Sequence, residues 1–355
     1  MNSPTLLTLE TVEAPHPTDQ GEVKTRIREL FAQASFDLDE KLSVFDNTGI
    51  QRRTFSLPLE RYLKGITPAE RGVCFTEVAG KMLHKAVERA VPEELRSRLT
   101  HIVTVTTSGV ATPSLECELM PKLDLALNAR RVPVFGLGCA GGVAGLQTAG
   151  DLARSRPDAL VLFLCVELTS LTHLASDRSL RNFVACALFG DGAAAGLIAG
   201  PEFECDVEPL ARIDEGRSTL FPDSLELMGW DIREEGWAVI FSPRIPALVR
   251  RETRRLVDEI TQGAPIDHYV LHPGGQKILE AYGEALDLDE RQTQAAREVL
   301  RDHGNMSAAT VLFCLQRILS DPDLKPGPAI ASAFGPGFSA DLLRLELLRS
   351  KASQS

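Results

Sequence analysis

No Cys-x-x-Cys pair occurs among the seven cysteines, and no His-Glu-x-x-His run appears anywhere in the 355 residues. Those absences argue against a disulfide framework, a zinc knuckle or a zincin, so no metal site is expected. An odd number of scattered thiols fits a reducing cytoplasm, which is the expected location. The chain has no apolar run near the roughly 20 residues that span a bilayer, so no stable membrane insertion is expected. Its first twenty residues carry no basic stretch followed by an apolar one, so no export signal is expected. Basic residues are in deficit, 38 against 49 acidic ones, for a net charge of −11. That balance excludes a protein that coats nucleic acid, while a local basic rim for a small anion remains compatible with it.

The composition, 44% apolar and 25% charged, is that of a globular chain with ample core. Apolar strand-like runs alternate with helical periodicity. The strands read at His101–Thr106, Val132–Leu137, Ala159–Val166, Gly192–Ile198, His268–Leu271 and Ala329–Ala333. The helices read at Glu70–Ala90, Gly142–Arg154, Ala247–Ile260 and Ser307–Ile318. Strands buried on both faces and separated by helices mean a layered α/β architecture. Residues 1–20, with three prolines, read as a loose arm, and Lys351–Ser355 as a frayed tail.

The chain also repeats itself at long range. One strand ends in Thr107-Ser108-Gly109, another in His272-Pro273-Gly274-Gly275. After each comes a glycine, a polar residue and a helix of small side chains: GCAGGVAGLQTAGDLA from Gly138 and GNMSAATVLFCLQRIL from Gly304. Each half closes on a glycine turn, ALFGDGAAAGLIAG and SAFGPGFSADLLRLEL, with roughly 20 additional residues ahead of the first. Two pseudo-equivalent halves are expected, residues 21–205 and 206–350, with two Ala/Gly-rich helices close together at the centre.

Cys139 stands at a strand–turn–helix elbow, where unpaired backbone N–H groups favour a thiolate and the glycines permit a sharp turn. The other six cysteines lack such an elbow. A cysteine nucleophile needs a base. His272 ends a strand, where open α/β sheets place their sites; His303, next to Gly304, competes with it, and His268 lies at the far end of the same strand. Asn305 reads locally as a helix N-cap. The repeat, however, puts it where the first half puts Cys139. Cys, His and Asn together imply acyl transfer through a thioester, with the cysteine half carrying the nucleophile and the other half carrying His and Asn.

Seven segments in order, TTSGV (106–110), GLGCAGG (136–142), CVELTS (165–170), ALFGDGAAA (187–195), LHPGG (271–275), GNMSAATVLF (304–313) and AFGPGF (333–338), resemble type III polyketide synthases, the chalcone-synthase-like branch of the thiolase superfamily. The resemblance runs from about Gly21 to Leu347. It implies an α-β-α-β-α thiolase-like fold and a Cys139, His272 and Asn305 triad. It makes Phe189 a gatekeeper between CoA tunnel and cavity. It also implies that an acyl-CoA starter and malonyl-CoA are substrates, that no cofactor is needed, and that the chain is a homodimer with its interface near Thr112. Substrate-site positions carried over are Thr107, Ser108, Thr112, Thr169, Thr172, Val239, Ser307 and the turn Gly335-Pro336-Gly337. Arg52 and Arg53 are the nearest candidates for gripping CoA phosphates. Thr112 and Val239 stand where plant relatives carry bulkier groups, and residues 228–246 are similar to bacterial alkylpyrone and alkylresorcinol synthases. A medium- or long-chain fatty acyl starter is therefore expected, with cyclisation to a pyrone or resorcinol. Trp230 and Trp237 are equally compatible with the acyl path and with the core. The rival readings are a ketoacyl-carrier-protein synthase of the priming type and a non-catalytic CoA-ester binder. A thiolase is disfavoured because the closing turn has no second cysteine.

Overall fold

A computed structural model describes residues 3–351. In chain order its strands are β1 (Thr5–Glu13), β2 (His16–Asp19), β3 (Arg52–Phe55), β4 (His101–Thr106), β5 (Arg130–Phe135), β6 (Leu160–Leu168), β7 (Asp191–Ala199), β8 (Ala211–Leu220), β9 (Met228–Arg233), β10 (Gly236–Phe241), β11 (His268–Leu271), β12 (Gly327–Gly335) and β13 (Ser339–Leu347). The helices that matter for the site are α1 (Pro68–Ala90), α2 (Gly141–Ser155), α3 (Leu180–Leu188), α4 (Ile245–Thr261), α5 (Gln276–Leu286), α6 (Glu290–His303) and α7 (Ala308–Leu319).

Nine strands join in the order β11-β12-β13-β8-β1-β7-β6-β4-β5. The two halves repeat one pattern. Along β1-β7-β6-β4 the pairings are antiparallel, antiparallel, parallel. Along β8-β13-β12-β11 they are the same. The halves meet where β1 pairs with β8, at Thr5↔Arg212 and Leu6↔Ala211. Two features break the symmetry. β5 has no counterpart, since α6 enters the second half's elbow in place of a strand. The first half also inserts residues 169–190, which hold a 3-10 turn (Thr169–Thr172) and α3. Its counterpart between β12 and β13 is only a short turn at Pro336–Phe338.

Layering follows from the pleat, which sends alternate residues of a strand to opposite faces. Leu160, Leu162, Leu164 and Val166 of β6 share a core with Phe75, Met82 and Leu83 of α1. Val161, Phe163 and Cys165 face the other way, onto Val143 and Leu146 of α2 and Leu312 of α7. The pair α2 and α7 touches strands of both halves and forms the middle layer, while α1 and α4 pack on the first and second half-sheets respectively. Small residues set that spacing: a Cβ on Gly142 would stand 2.2 Å from the Ala308 carbonyl.

Of the expected loose arm, residues 1–20, the described part from residue 3 is not loose. Thr5–Glu13 is a central strand of the large sheet, with Leu6, Leu7, Leu9 and Val12 buried. The prolines that suggested an arm only bracket β1 or lie in the short strand β2, which pairs with β3. At the other end Lys351 ion-pairs with Glu10, so it is tied down. The rest of the expected frayed tail, 352–355, lies outside the described residues, as do residues 1–2.

Candidate active site

The elbow carrying Cys139 is built from glycines that the backbone requires. Gly136 and Gly138 adopt φ +92 and +47, conformations that disfavour a side chain. Cys139 lies in the 3-10 turn Gly138–Ala140 that runs straight into α2. Below it, the Thr107 hydroxyl accepts the Gly138 N–H at 2.9 Å. The closing turn of the second half packs onto the same elbow. A Cβ on Gly138 would stand 2.6 Å from Pro336, and one on Gly335 would stand 2.6 Å from Ala140. Residues 136–141 also show the glycine spacing of a dinucleotide loop, which sequence reasoning passed over. Pro336, Val105 and Ala308 occupy the space beside Gly138 and Gly141, so the loop is packed rather than open to a phosphate.

Cys139, His272 and Asn305 line one cavity of about 310 Å³, with Gly274, Met228, Phe241, Tyr282 and Phe334. Cys139 Sγ lies 4.0 Å from Asn305 Oδ1, joining residues 166 apart. His272 is 3% exposed, and neither ring nitrogen has a hydrogen-bond partner. An unpaired buried imidazole costs stability, which marks it as a working group. His303 does not compete: it faces Glu13, Nδ1 to Oε1 at 3.2 Å, and packs on Phe313. His268 is at the far end of β11, bonded to the Lys325 carbonyl.

Asn305 is not a helix cap, because α7 starts at Ala308 behind Ser307. Its Oδ1 accepts the Ser307 N–H at 2.8 Å and its Nδ2 donates to the Gly274 carbonyl at 3.1 Å. One Nδ2 hydrogen is therefore left for a ligand. Behind this turn sits Glu167, which the sequence reading missed. It is fully buried and accepts the backbone N–H groups of Thr107 and Ser108 at 3.1 and 2.9 Å, and the Ser307 hydroxyl at 3.4 Å. A carboxylate inside the apolar run LVLFLCVEL was the signal for it. Thr107, Ser108 and Ser307 thus serve as scaffold around Glu167.

Burial dominates the electrostatics. It pushes the Cys139 thiol up to about 12, with the Ser307 side chain acting in the opposite direction. It pushes His272 down to about 3 and Glu167 up to about 7. The free pocket therefore favours neutral thiol beside neutral imidazole, rather than a standing ion pair. Burial thus works against transfer of the Sγ proton to His272 in the empty pocket.

Phe189 lines a second cavity of about 580 Å³, with Thr169, Thr172, Val239, Trp230 and Trp237. Its ring centroid is 6.2 Å from Trp230, which is 6.4 Å from Trp237. Both tryptophans are thus cavity residues. Phe189 and Asn305 form a parallel bridge, so gate cavity and catalytic cavity share a backbone wall. Thr112 is exposed and lines neither cavity within the single chain. One expectation is corrected. Arg53 is 1% exposed and bonded to the Phe189 carbonyl, so it is closed off from a CoA phosphate. Arg52 is on the surface, paired with Glu13 at 2.8 Å. Among the described residues no group of three or more His, Cys, Asp and Glu is placed to hold a metal. No described helix is long and apolar enough to cross a membrane.

Residues 62–201 match the family model for chalcone and stilbene synthases, N-terminal domain, and 212–347 match the C-terminal domain. A putative chalcone synthase of Bacillus subtilis is 32% identical over 95% of this chain and 97% of that protein. A 1,3,6,8-tetrahydroxynaphthalene synthase of Streptomyces peucetius is 32% identical over 95% of this chain and 91% of its own length. Among solved structures, the C-terminal type III polyketide synthase domain of Steely1 from Dictyostelium superposes with a TM-score of 0.89, at 26% identity over 98% of this chain and 99% of that one.

Proposed function

Because the chain belongs to the chalcone and stilbene synthases, the type III polyketide synthase family, we propose that it condenses malonyl-CoA onto a medium- or long-chain fatty acyl-CoA and closes the product to a pyrone or resorcinol. It is a malonyl-CoA-dependent condensing acyltransferase. The observation that carries the mechanistic reading is the shared cavity of Cys139, His272 and Asn305, with sulfur and amide 4.0 Å apart.

His272 takes the Cys139 proton as Sγ attacks the starter thioester. The CoA sulfur leaves with that proton, and Cys139 is acylated. Malonyl-CoA then loses CO₂: the carbon–carboxylate bond breaks and its electron pair becomes an enolate. The enolate oxygen is held by His272 and by the free Asn305 N–H. Its carbon attacks acyl-Cys139, the C–S bond breaks, and the thiolate returns. A neutral amide suits this place because a fixed anion would repel the enolate. Phe189 shields the step from water. The reading uses no metal or redox cofactor, and the CoA thioesters are substrates. We also propose a homodimer with its interface near the exposed Thr112.

The starter assignment is supported by the aromatic and apolar lining of the gate cavity, where Thr172 and Val239 leave room. Mass spectrometry of products from a panel of acyl-CoA starters with malonyl-CoA tests it. Long-chain pyrones or resorcinols are expected. Turnover only with malonyl-carrier protein would return the priming-synthase reading. A naphthalene-type product without an acyl starter would favour a second reading, which rests on the 32% identity to the tetrahydroxynaphthalene synthase.

A further inference from the structure

Arg53 is the only buried Arg or Lys among the described residues. It sits on β3, far in sequence from both the gate and the triad. Its Nη1 donates to the Phe189 carbonyl at 2.6 Å. Its guanidinium lies 5.2 Å from the Phe55 ring centroid, a cation–π distance. Its aliphatic stem fills the place a Cβ on Gly304 would take: that atom would be 2.7 Å from Arg53 Cδ. Gly304, with φ +68, is therefore required by Arg53. Burial lowers the guanidinium to about 10, with Cys186 and Asp191 opposing, so it stays charged near neutrality.

The residues it touches form one short ladder. Asn305 N–H donates to the Leu188 carbonyl and Gly190 N–H donates to the Asn305 carbonyl, both at 2.9 Å. Leu188, Phe189 and Gly190 end the segment inserted only in the first half. Gly304 and Asn305 belong to the second half's elbow. Arg53 holds the first by a hydrogen bond and the second by packing. We infer that Arg53 is a positioning residue, a strut that fixes Phe189 relative to the Asn305 amide so that malonyl decarboxylation is aligned. This deepens the polyketide-synthase reading and rests on it.

The inference makes an asymmetric demand on the partial reactions. Acylation of Cys139 depends on the elbow and His272, which Arg53 does not touch. Decarboxylation depends on Phe189, whose carbonyl Arg53 holds, and on Asn305, whose neighbour Gly304 packs against the Arg53 stem. Misplacement by about 1 Å costs on the order of 10²-fold in such geometries. The test uses the full chain as wild type, Arg53→Met and Arg53→Lys. CO₂ release from malonyl-CoA without starter reads one step, and single-turnover acylation of Cys139, followed by intact mass, reads the other. In Arg53→Met, the kcat for CO₂ release is expected to fall by about 30-fold or more, with acylation within about threefold. Arg53→Lys, which keeps a donor for the carbonyl, is expected to recover part of the loss. Equal losses in both steps, or no loss in either, overturn the inference. Should Arg53→Met not fold, Arg53→Lys decides alone: a selective fall in CO₂ release supports the strut, and wild-type or uniformly reduced rates overturn it. Wild-type protein that performs neither step refutes the polyketide-synthase reading instead.

Discussion

Ser307 donates its backbone N–H to the side-chain oxygen of Asn305, and it takes a left-handed φ of +50 to do so. With Nδ2 held by the Gly274 carbonyl, the amide cannot turn over without losing both bonds. Asn305→Asp would put an acceptor against the Gly274 carbonyl and leave no donor for the enolate. Loss of one such donor typically costs 10² to 10³ in rate, about 3 to 4 kcal/mol. CO₂ release from malonyl-CoA is expected to fall by about that factor while acylation of Cys139 persists. Near wild-type CO₂ release would remove Asn305 from this role.

In the proposed mechanism His272 is the base for the half-buried Cys139 thiol, which desolvation otherwise holds near 12. His272→Ala is expected to slow iodoacetamide alkylation of Cys139 at pH 7 by about tenfold or more. Peptide mapping of the labelled cysteine reads this out. An unchanged rate would mean that the sulfur is activated by the elbow alone.

Glu167 makes stability depend on pH. Burial raises its carboxyl from the ordinary 4.5 to about 7, so the folded state binds this proton more tightly than the unfolded chain. Its contribution is complete below pH 4.5 and is lost as pH rises towards 7, by about 3 kcal/mol. Asp191, raised to about 6, acts with the same sign in a lower window. His272, lowered to about 3, acts with the opposite sign, losing stability as pH falls below 6.5. Urea unfolding of wild type and Glu167→Gln across pH 4.5 to 7.5 isolates the first effect. The wild type should weaken relative to the variant as pH rises; a difference independent of pH would show that Glu167 does not titrate there.

Trp230 stands between the gate phenylalanine and Trp237 and takes up gate-cavity space. Trp230→Ala should shift preference towards longer acyl-CoA starters, read as kcat/KM ratios across chain lengths. An unchanged ratio would place the acyl chain elsewhere.

Much of the architecture was legible because it is written in local periodicity. The wholly buried run of β6 and the glycine-spaced face of α2 declare themselves residue by residue. β1 did not, because its flanking prolines look like a loop and its partners β7 and β8 lie some 200 residues away. Glu167 escaped because a single carboxylate in an apolar strand has no local meaning until Thr107, Ser108 and Ser307 arrive to bond it. Arg53 was misassigned for the converse reason: two adjacent arginines look like a surface grip for phosphates, and only the packing around Phe189 reveals that one points inward.

The amino-acid order by itself determined the cysteine elbow, the doubled plan of the chain and the family. Glycines, small helix faces and apolar runs act through φ, close approach and burial, and those are properties of neighbouring residues. Only the tertiary structure decided which histidine shares a cavity with Cys139, how Asn305 is turned, and that a basic side chain near the start of the chain is bonded to the Phe189 carbonyl. Those outcomes depend on hydrogen bonds and desolvation between residues more than a hundred positions apart, which no local pattern encodes.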